Sequence, residues 1–385
     1  DEETIFQLSV PADEIMSDSL LKVHVYQLGR TLAPGDSIRF HFRVRNGENT
    51  LFQQNSSVLS NGTFLNDDIL PRVGYFLPQD PYPPGSPDIP NVHYQSSGSD
   101  RVFAEIRIST SRDQIALSSG ERLDHRIEDG RNIYYYKPSE PIKFDFFFAS
   151  GRYEVIRNQW ENKTIELYHH PGHGGNAESI LAGIRASLEF NSGLFGWFTG
   201  ETVRAVELPV SSADLMSFKT NTLLLSEQLF GVKSSKMNSE GSAAIDFPFY
   251  VAAHEMTHYW FGNRLLPKRA LGATVLTESI TEYLMLEILE KHGGKELRNQ
   301  FLQLQHERYL RGHNVSDRAM EPPLEHASVE QEHITYGKGA VVLNALSHYT
   351  GREEFMNVLS GFFTEFAGKP VSYPTTLQLK ERITR

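Results

Sequence analysis

His254, Glu255 and His258 stand in the order His-Glu-Met-Thr-His, and a helix turns that spacing into a metal site. At about 3.6 residues per turn, positions four apart share a face, so both imidazoles reach one ion. Glu255 projects beside them, placed to take a proton from a water rather than to bind the ion. His-Glu-x-x-His also arises by chance in chains that bind no metal, so a third donor decides the matter. Glu278 lies 20 positions after His258 and opens a second helical pattern through Ile280, Leu284, Ile288 and Leu289, ended by Gly293-Gly294. Two packed helices joined by a loop bring such a carboxylate beside two histidines. Two His, one Glu and a water make the open, catalytic form of zinc coordination, with one ion expected per chain. The competing reading leaves Glu278 as a solvated acid that merely suits a helix N-terminus. Glu282, one turn further on the same face, is expected to orient a ligand from behind, although spacing alone lets it exchange roles with Glu278.

The elements that position these residues are also marked. Asp246 is placed to cap a helix whose first turn tolerates Pro248, and Gly262-Asn263 supplies a stop. Phe247, Val251, His254, His258 and Phe261 repeat at four-three spacing, so the ligand face is also the face expected to be buried.

The stretch His254-Glu255-Met256-Thr257-His258-Tyr259-Trp260-Phe261-Gly262-Asn263 closely resembles the signature of the aminopeptidase N-like gluzincin metallopeptidases. Thr277-Glu278-Ser279-Ile280-Thr281-Glu282-Tyr283 is similar to that family's third-ligand segment. Tyr336-Gly337-Lys338-Gly339-Ala340 resembles the segment that carries its transition-state tyrosine. Two departures stand out. The family has 18 residues between the second His and the Glu, whereas Tyr259 to Thr277 makes 19. We expect the extra residue to be absorbed between Leu265 and Gly272, where Pro267 interrupts any helix, so that Glu278 rather than Thr277 faces the ion. The family's exopeptidase motif is also absent in literal form; Leu225-Ser226-Glu227-Gln228-Leu229 is its counterpart by position, and the resemblance makes Glu227 the anchor of a substrate α-amine. Both departures resemble the peptidase-like domains fused to bacterial ABC-transporter permeases. That branch also has counterparts of Gly272 to Ser279, Asn61-Gly62-Thr63-Phe64 and Tyr168-His169-His170-Pro171-Gly172-His173. The resemblance implies a zinc aminopeptidase acting on peptides with a free N-terminus, Glu255 as general base and Tyr336 as oxyanion donor. It further implies an extracytoplasmic setting near a membrane permease. Other readings of the same residues are an endopeptidase, an epoxide hydrolase, or a peptide-sensing domain with weak turnover.

Composition is compatible with this. The chain has 385 residues, no cysteine and a formal net charge of −11. That excludes disulfides and thiolate ligands and argues against a nucleic-acid surface. No apolar run approaches the roughly 18 residues that a membrane helix needs. The first residues, Asp1-Glu2-Glu3-Thr4, show neither an initiator Met nor a signal pattern, as expected of a mature or excised domain. The sequons at Asn55, Asn61, Asn162 and Asn314 matter only in a eukaryotic secretory setting.

Up to about residue 150 the hydrophobic pattern has period two. Examples are Ile38, Phe40, Phe42 and Val44, then Leu21, Val23 and Val25; Val102 to Ile108, Ile133 to Tyr136 and Ile142 to Phe148 add strands. Pro78 to Pro90 reads as an extended loop. Helices dominate later, beginning near Asn176, Asp246, Thr274, Lys295, Tyr336 and Thr375. Leu223 to Glu227 reads as an edge strand ending in an acid. His169, His170 and His173 read as incidental histidines of a loop, because Pro171-Gly172 forbids a helical pair. The fold class is therefore α+β. The resemblance implies the arrangement of an antiparallel β domain over 1–150 followed by a thermolysin-like catalytic domain over 151–385, without the large C-terminal helical domain of full-length aminopeptidases.

Overall fold

The computed structural model describes residues 3–18, 23–45, 57–71, 101–212, 216–231, 236–237, 245–268, 270–315, 321–328, 330–369 and 373–384. Pro78 to Pro90 and Leu21 lie outside the described residues. The chain is α+β, with strands predominating before residue 170 and helices after 245.

The first part is built from small antiparallel sheets. Glu3–Leu8 pairs with Phe40–Arg45, and Ala12–Asp18 pairs with Val23–Leu28. A four-stranded sheet has the spatial order Val58–Leu59, Gly62–Asn66, Phe147–Gly151, Ile115–Ser118. A three-stranded one joins Glu121–Glu128, Arg131–Lys137 and Ile106–Thr110. Two expected strands are broken. Val102 to Ile108 splits around residues 103–105, where Phe103 is exposed. Ile142 to Phe148 splits because Asp145 turns back, its N–H on Lys143 O, to place a buried carboxylate 3.0 Å from Lys143 Nζ.

A mixed five-stranded sheet forms the platform of the second part. Its order is Glu154–Trp160, Lys163–His169, Thr202–Leu208, Thr222–Ser226, Ser217–Lys219. The middle three strands are parallel. Both faces are covered, which is why these strands read as apolar runs rather than alternations. Val203, Ala205, Leu223 and Leu225 face the large helical core. Val206, Leu208 and Leu224 meet Phe64, Leu117, Phe147 and Tyr153 from the first part. Arg204, buried in the same sheet, reaches across to Gly120 O (2.6 Å) and lies near Glu166 and Glu121. Thr222–Ser226 is not an edge strand, contrary to expectation. A tight turn at Thr220-Asn221, with Asn221 at φ 62°, folds Ser217–Lys219 back along it as the true edge.

Two helices lie against this sheet. Ala177–Phe195 buries Ile180, Leu181, Ile184 and Leu188, and Phe247–Thr257 packs along it. The approach is close at Gly183, where an added Cβ would stand 2.3 Å from Phe249 O. Glu278–Val315 follows as two helices in succession: Gly294, at φ 83° and ψ −178°, is non-helical, so the first helix ends at Gly293-Gly294 as expected and a second resumes behind it. Gly339–Thr350, Arg352–Phe366 and Thr376–Ile383 complete the helical layer; Thr375 and Gln378 form a capping box for the last. Among the described residues no helix is long and apolar enough to cross a membrane.

Candidate metal centre

The helix Phe247–Thr257 starts where its sequence dictates. Asp246 accepts from the Phe249 N–H (3.2 Å), and Pro248 occupies the first turn. It ends at Thr257, five positions before the expected Gly262 stop. His258 is already the cap residue, its N–H bonded to Glu255 O (3.2 Å), and Asn263 Nδ2 donates to His258 O. The i,i+4 geometry survives this tightening. Thr257 supports it from below, accepting or donating at Ser187 Oγ (2.9 Å) and receiving Asn191 Nδ2 (3.1 Å) in a buried polar knot.

His254 Nε2 and His258 Nε2 lie 3.1 Å apart, and each is 3.4 Å from Glu278 Oε2. Donors bound about 2.0–2.1 Å from a tetrahedral zinc stand roughly 3.3 Å from one another. The three atoms therefore form a triangle of the size that zinc requires. The rings are also turned correctly. His258 Nδ1 lies 3.0 Å from Phe261 O, an acceptor only, so Nδ1 carries the proton and Nε2 presents its lone pair. His254 Nδ1 lies 3.3 Å from Glu282 Oε1. Glu282 is itself held by Tyr250 Oη (2.6 Å) and Gln305 Nε2 (2.8 Å). Burial opposes a charge on His254, yet the carboxylates of Glu278 and Glu282 hold its pKa up at about 10. A metal ion must displace a proton on binding.

Glu278 reaches this place because the residues after the ligand helix form no α-helix until position 278. Leu266 to Lys268 are irregular, Gly272 takes φ 72°, and a 3₁₀ turn spans Ala273–Val275. Gly272 sits tightly under another segment: a Cβ there would come 2.1 Å from Glu325 O.

Tyr336 lies in a π-helical segment, His333–Lys338, that runs into Gly339–Thr350. Its ring is 6.0 Å from that of His254 and nearly parallel to it, at 13°. The Arg308 guanidinium stands 4.3 Å from the same ring centroid. Burial pushes the Tyr336 hydroxyl pKa up, and the nearby charges of Glu278, Glu255 and Glu282 push it further. The phenol thus stays protonated and able to donate. The two glycines beside it are explained by contact. A Cβ on Gly337 would meet Tyr309 N (2.8 Å) and Gln305 O (2.9 Å), and one on Gly339 would meet Ser279 Oγ at 2.2 Å. Ser279 Oγ in turn donates to Thr335 O (2.5 Å). The tyrosine segment is locked against the residue that follows Glu278.

Glu255 is buried beside His254. Glu227 is not drawn into the triangle. It ends the strand Thr222–Ser226, which packs on the ligand helix, and its Oε1 accepts from Val210 N–H (2.8 Å). Sequence reasoning missed Tyr250, Gln305 and Arg308. Tyr250 was findable, because it lies four residues before His254 on the same face; the other two carry no local signal. It also missed Glu207, which the fold places beside His170 and His173.

Residues 202–382 match the sequence profile of the Peptidase family M1 domain. The chain is 23% identical over 295 residues to Probable aminopeptidase 1 of Saccharolobus solfataricus, covering 69% of this chain and 34% of that protein. It is 24% identical over 273 residues to Tricorn protease-interacting factor F2 of Thermoplasma volcanium, with the same coverages. The chain thus spans about a third of the length of these relatives. Among solved structures, a mutant two-domain M1 zinc metallopeptidase bound to L-arginine matches with a TM-score of 0.53 at 19% identity, over 74% of this chain and 61% of that one. Legionella pneumophila aminopeptidase A in complex with aspartic acid matches at 0.57 and 18%, over 74% and 33%. At such identity the structures speak for the fold alone. The profile match and the aminopeptidase relatives add a likeness to M1 peptidases over the second half of the chain.

Proposed function

We propose that this chain carries a zinc-dependent aminopeptidase site, in which His254, His258 and Glu278 hold one zinc ion and Glu255 is the general base. The observation that carries the proposal is the donor triangle of 3.1, 3.4 and 3.4 Å, with both imidazoles backed by acceptors. A zinc ion bound there supplies Lewis acidity to a scissile carbonyl and brings the pKa of a water towards about 7. Glu255 would take a proton from an attacking water and return it to the leaving amine. Tyr336 donates to the carbonyl oxygen as negative charge gathers on it, a contribution on the order of 2.7–4 kcal/mol for a well-aimed donor. Glu282 holds the His254 ring in register. Glu227, whose Oε1 accepts from Val210 N–H, would receive the α-ammonium of the substrate and position the peptide by its N-terminal residue. The likeness of Gly272 to Ser279 to permease-associated domains supports placing this activity in an extracytoplasmic domain near such a transporter.

The test is to compare hydrolysis of a free-amine peptide with that of its N-acetylated twin, in the parent protein and in Glu227→Ala. We expect the acetylated peptide to be refractory and Glu227→Ala to raise KM for the free one. Equal cleavage of both peptides, unchanged by Glu227→Ala, would make the enzyme an endopeptidase and remove the anchor.

A further inference from the structure

We infer that His170, His173 and Glu207 form a second divalent-metal site of zinc-type nitrogen and oxygen coordination, at the end of the parallel strands. A turn, not a helix, unites the two histidines. Pro171 and Gly172 occupy the centre of a β-turn closed by His173 N–H on His170 O (3.0 Å), and Gly172 takes φ 85°. Pro followed by Gly at positive φ is the signature of a type II turn, whose first and fourth residues lie within about 7 Å. The turn that forbids a helical pair thus creates a turn-borne one.

The carboxylate comes from the neighbouring strand. Tyr168 pairs with Val206 in parallel register, so Glu207 emerges beside the start of the turn. Its side chain is wholly buried. His170 N–H donates to Oε2 (2.6 Å), His170 Nδ1 is 3.4 Å from the same oxygen, and His173 Nδ1 is 2.5 Å from Oε1. One donor atom from each of the three residues lies within 4.8 Å of the others. His170 turns Nδ1 towards the Glu207 carboxylate, while its other ring nitrogen, Nε2, is buried with no hydrogen-bond partner. The backbone N–H on Glu207 orients the carboxylate as an outer-shell partner orients a metal ligand.

Two histidines and a carboxylate can also share protons, so the proposal turns on whether an ion replaces them. Little movement is needed, since zinc donors stand roughly 3.3 Å apart. The His173 side chain is 41% exposed on its turn, so this side of the site faces solvent and leaves a position for water. The ion would sit between Tyr153, whose ring is 4.9 Å from that of His170, and the segment after Glu227, which Asn176 Nδ2 ties to the turn through Leu229 O (2.8 Å). It would act as a staple for the strand end that carries Glu227.

Metal content after saturation with zinc and dialysis, together with Co(II) titration followed by visible absorption, tests this on the full chain. We expect two ions in the parent, one in His258→Ala, one in His173→Ala, and none in the double variant. Glu207→Gln should lose the same ion as His173→Ala while keeping the parental circular dichroism. If His258→Ala proves unfolded, the parent compared with Glu207→Gln still decides. One ion in the parent, unchanged by His173→Ala and Glu207→Gln, overturns the second site and leaves the first untouched. A folded His258→Ala that binds nothing overturns it as well.

Discussion

The two histidine clusters of this molecule are built on opposite plans. His254 and His258 ride on one helix, their Nε2 atoms 3.1 Å apart, with a carboxylate equidistant from both. His170 and His173 ride on a turn, and their carboxylate stands at unequal distances of 3.4 and 2.5 Å, with one ring half out in solvent. In the first, every ring is aimed by something behind it, and the surroundings are packed side chains on four helical elements. In the second, the backbone makes the pairing, the His170 ring is buried against Tyr153, and the His173 ring reaches solvent. A helix fixes directions as well as distances, whereas a turn fixes distances only. Chemistry that needs a water and a base within a few tenths of an ångström belongs on the first plan.

The sharpest way to break that contrast is Glu255→Gln. Loss of a positioned general base costs on the order of 10²–10⁴-fold. We expect turnover of an aminoacyl fluorophore to fall by about that factor while metal content stays at the parental level. His173→Ala, by contrast, should leave turnover within a small factor of the parent. If the two variants were equally impaired, the division of labour between helix and turn would be wrong.

Tyr336→Phe comes next. Removing one oxyanion donor typically lowers kcat by about 10²–10³-fold. KM should change little, because the donor acts on charge that appears only in the transition state. A kcat within tenfold of the parent would show that the hydroxyl does not face the reacting carbonyl.

Gly339→Ala probes the packing that holds the tyrosine segment. The added Cβ would stand 2.2 Å from Ser279 Oγ, and overpacking of this sort costs roughly 1–3 kcal/mol. A melting temperature lower by several degrees, with a loss of activity larger than at any exposed helix site, is the expected result. An unaltered melting curve would mean that the helices part without cost.

The smallest effect lies in the strand that leads into the turn. Burial raises the pKa of Glu166, but Tyr168, Arg157, Arg204 and Arg122 together hold it below the usual carboxylate range. A carboxyl whose folded pKa is depressed adds stability above its unfolded value near 4.3, and that stability is lost as pH falls through the folded value. Glu166→Gln should therefore flatten the acid side of a plot of Tm against pH, below about pH 4.3, and leave the activity profile near neutrality alone. An acid limb as steep as the parent's would assign acid lability to other groups.

How much was legible followed from the same contrast. His254, Glu255 and His258 could be read because helical spacing is covalent, and Asp246 because a cap is a local event. Glu278 could be singled out because a helix start announces itself, even with a loop of uneven length before it. Glu207 could not, since nothing in Val206-Glu207-Leu208 marks which strand lies alongside. Arg308 is equally silent: its place over Tyr336 depends on how the chain resumes behind the Gly294 kink. The buried run Leu223 to Leu225 reads as an edge because the strand that flanks it, Ser217–Lys219, has only three residues. Asn221, a residue that tolerates positive φ, was the overlooked sign of that return. Sequence reads well along the chain and poorly across it.

The π-helical segment His333–Lys338 has a consequence of a different kind. Such a segment holds one residue more than an α-helix would spend on the same advance, and it is commonly retained at functional positions. Each residue of an α-helix turns the chain by about 100°. Removing a single residue after Gly337 would let the segment relax into the commoner helix and would swing Tyr336 away from His254 by roughly that angle. The shortened protein would then be better made as a helix and worse as a catalyst. One surplus residue separates a well-formed structure from a working one.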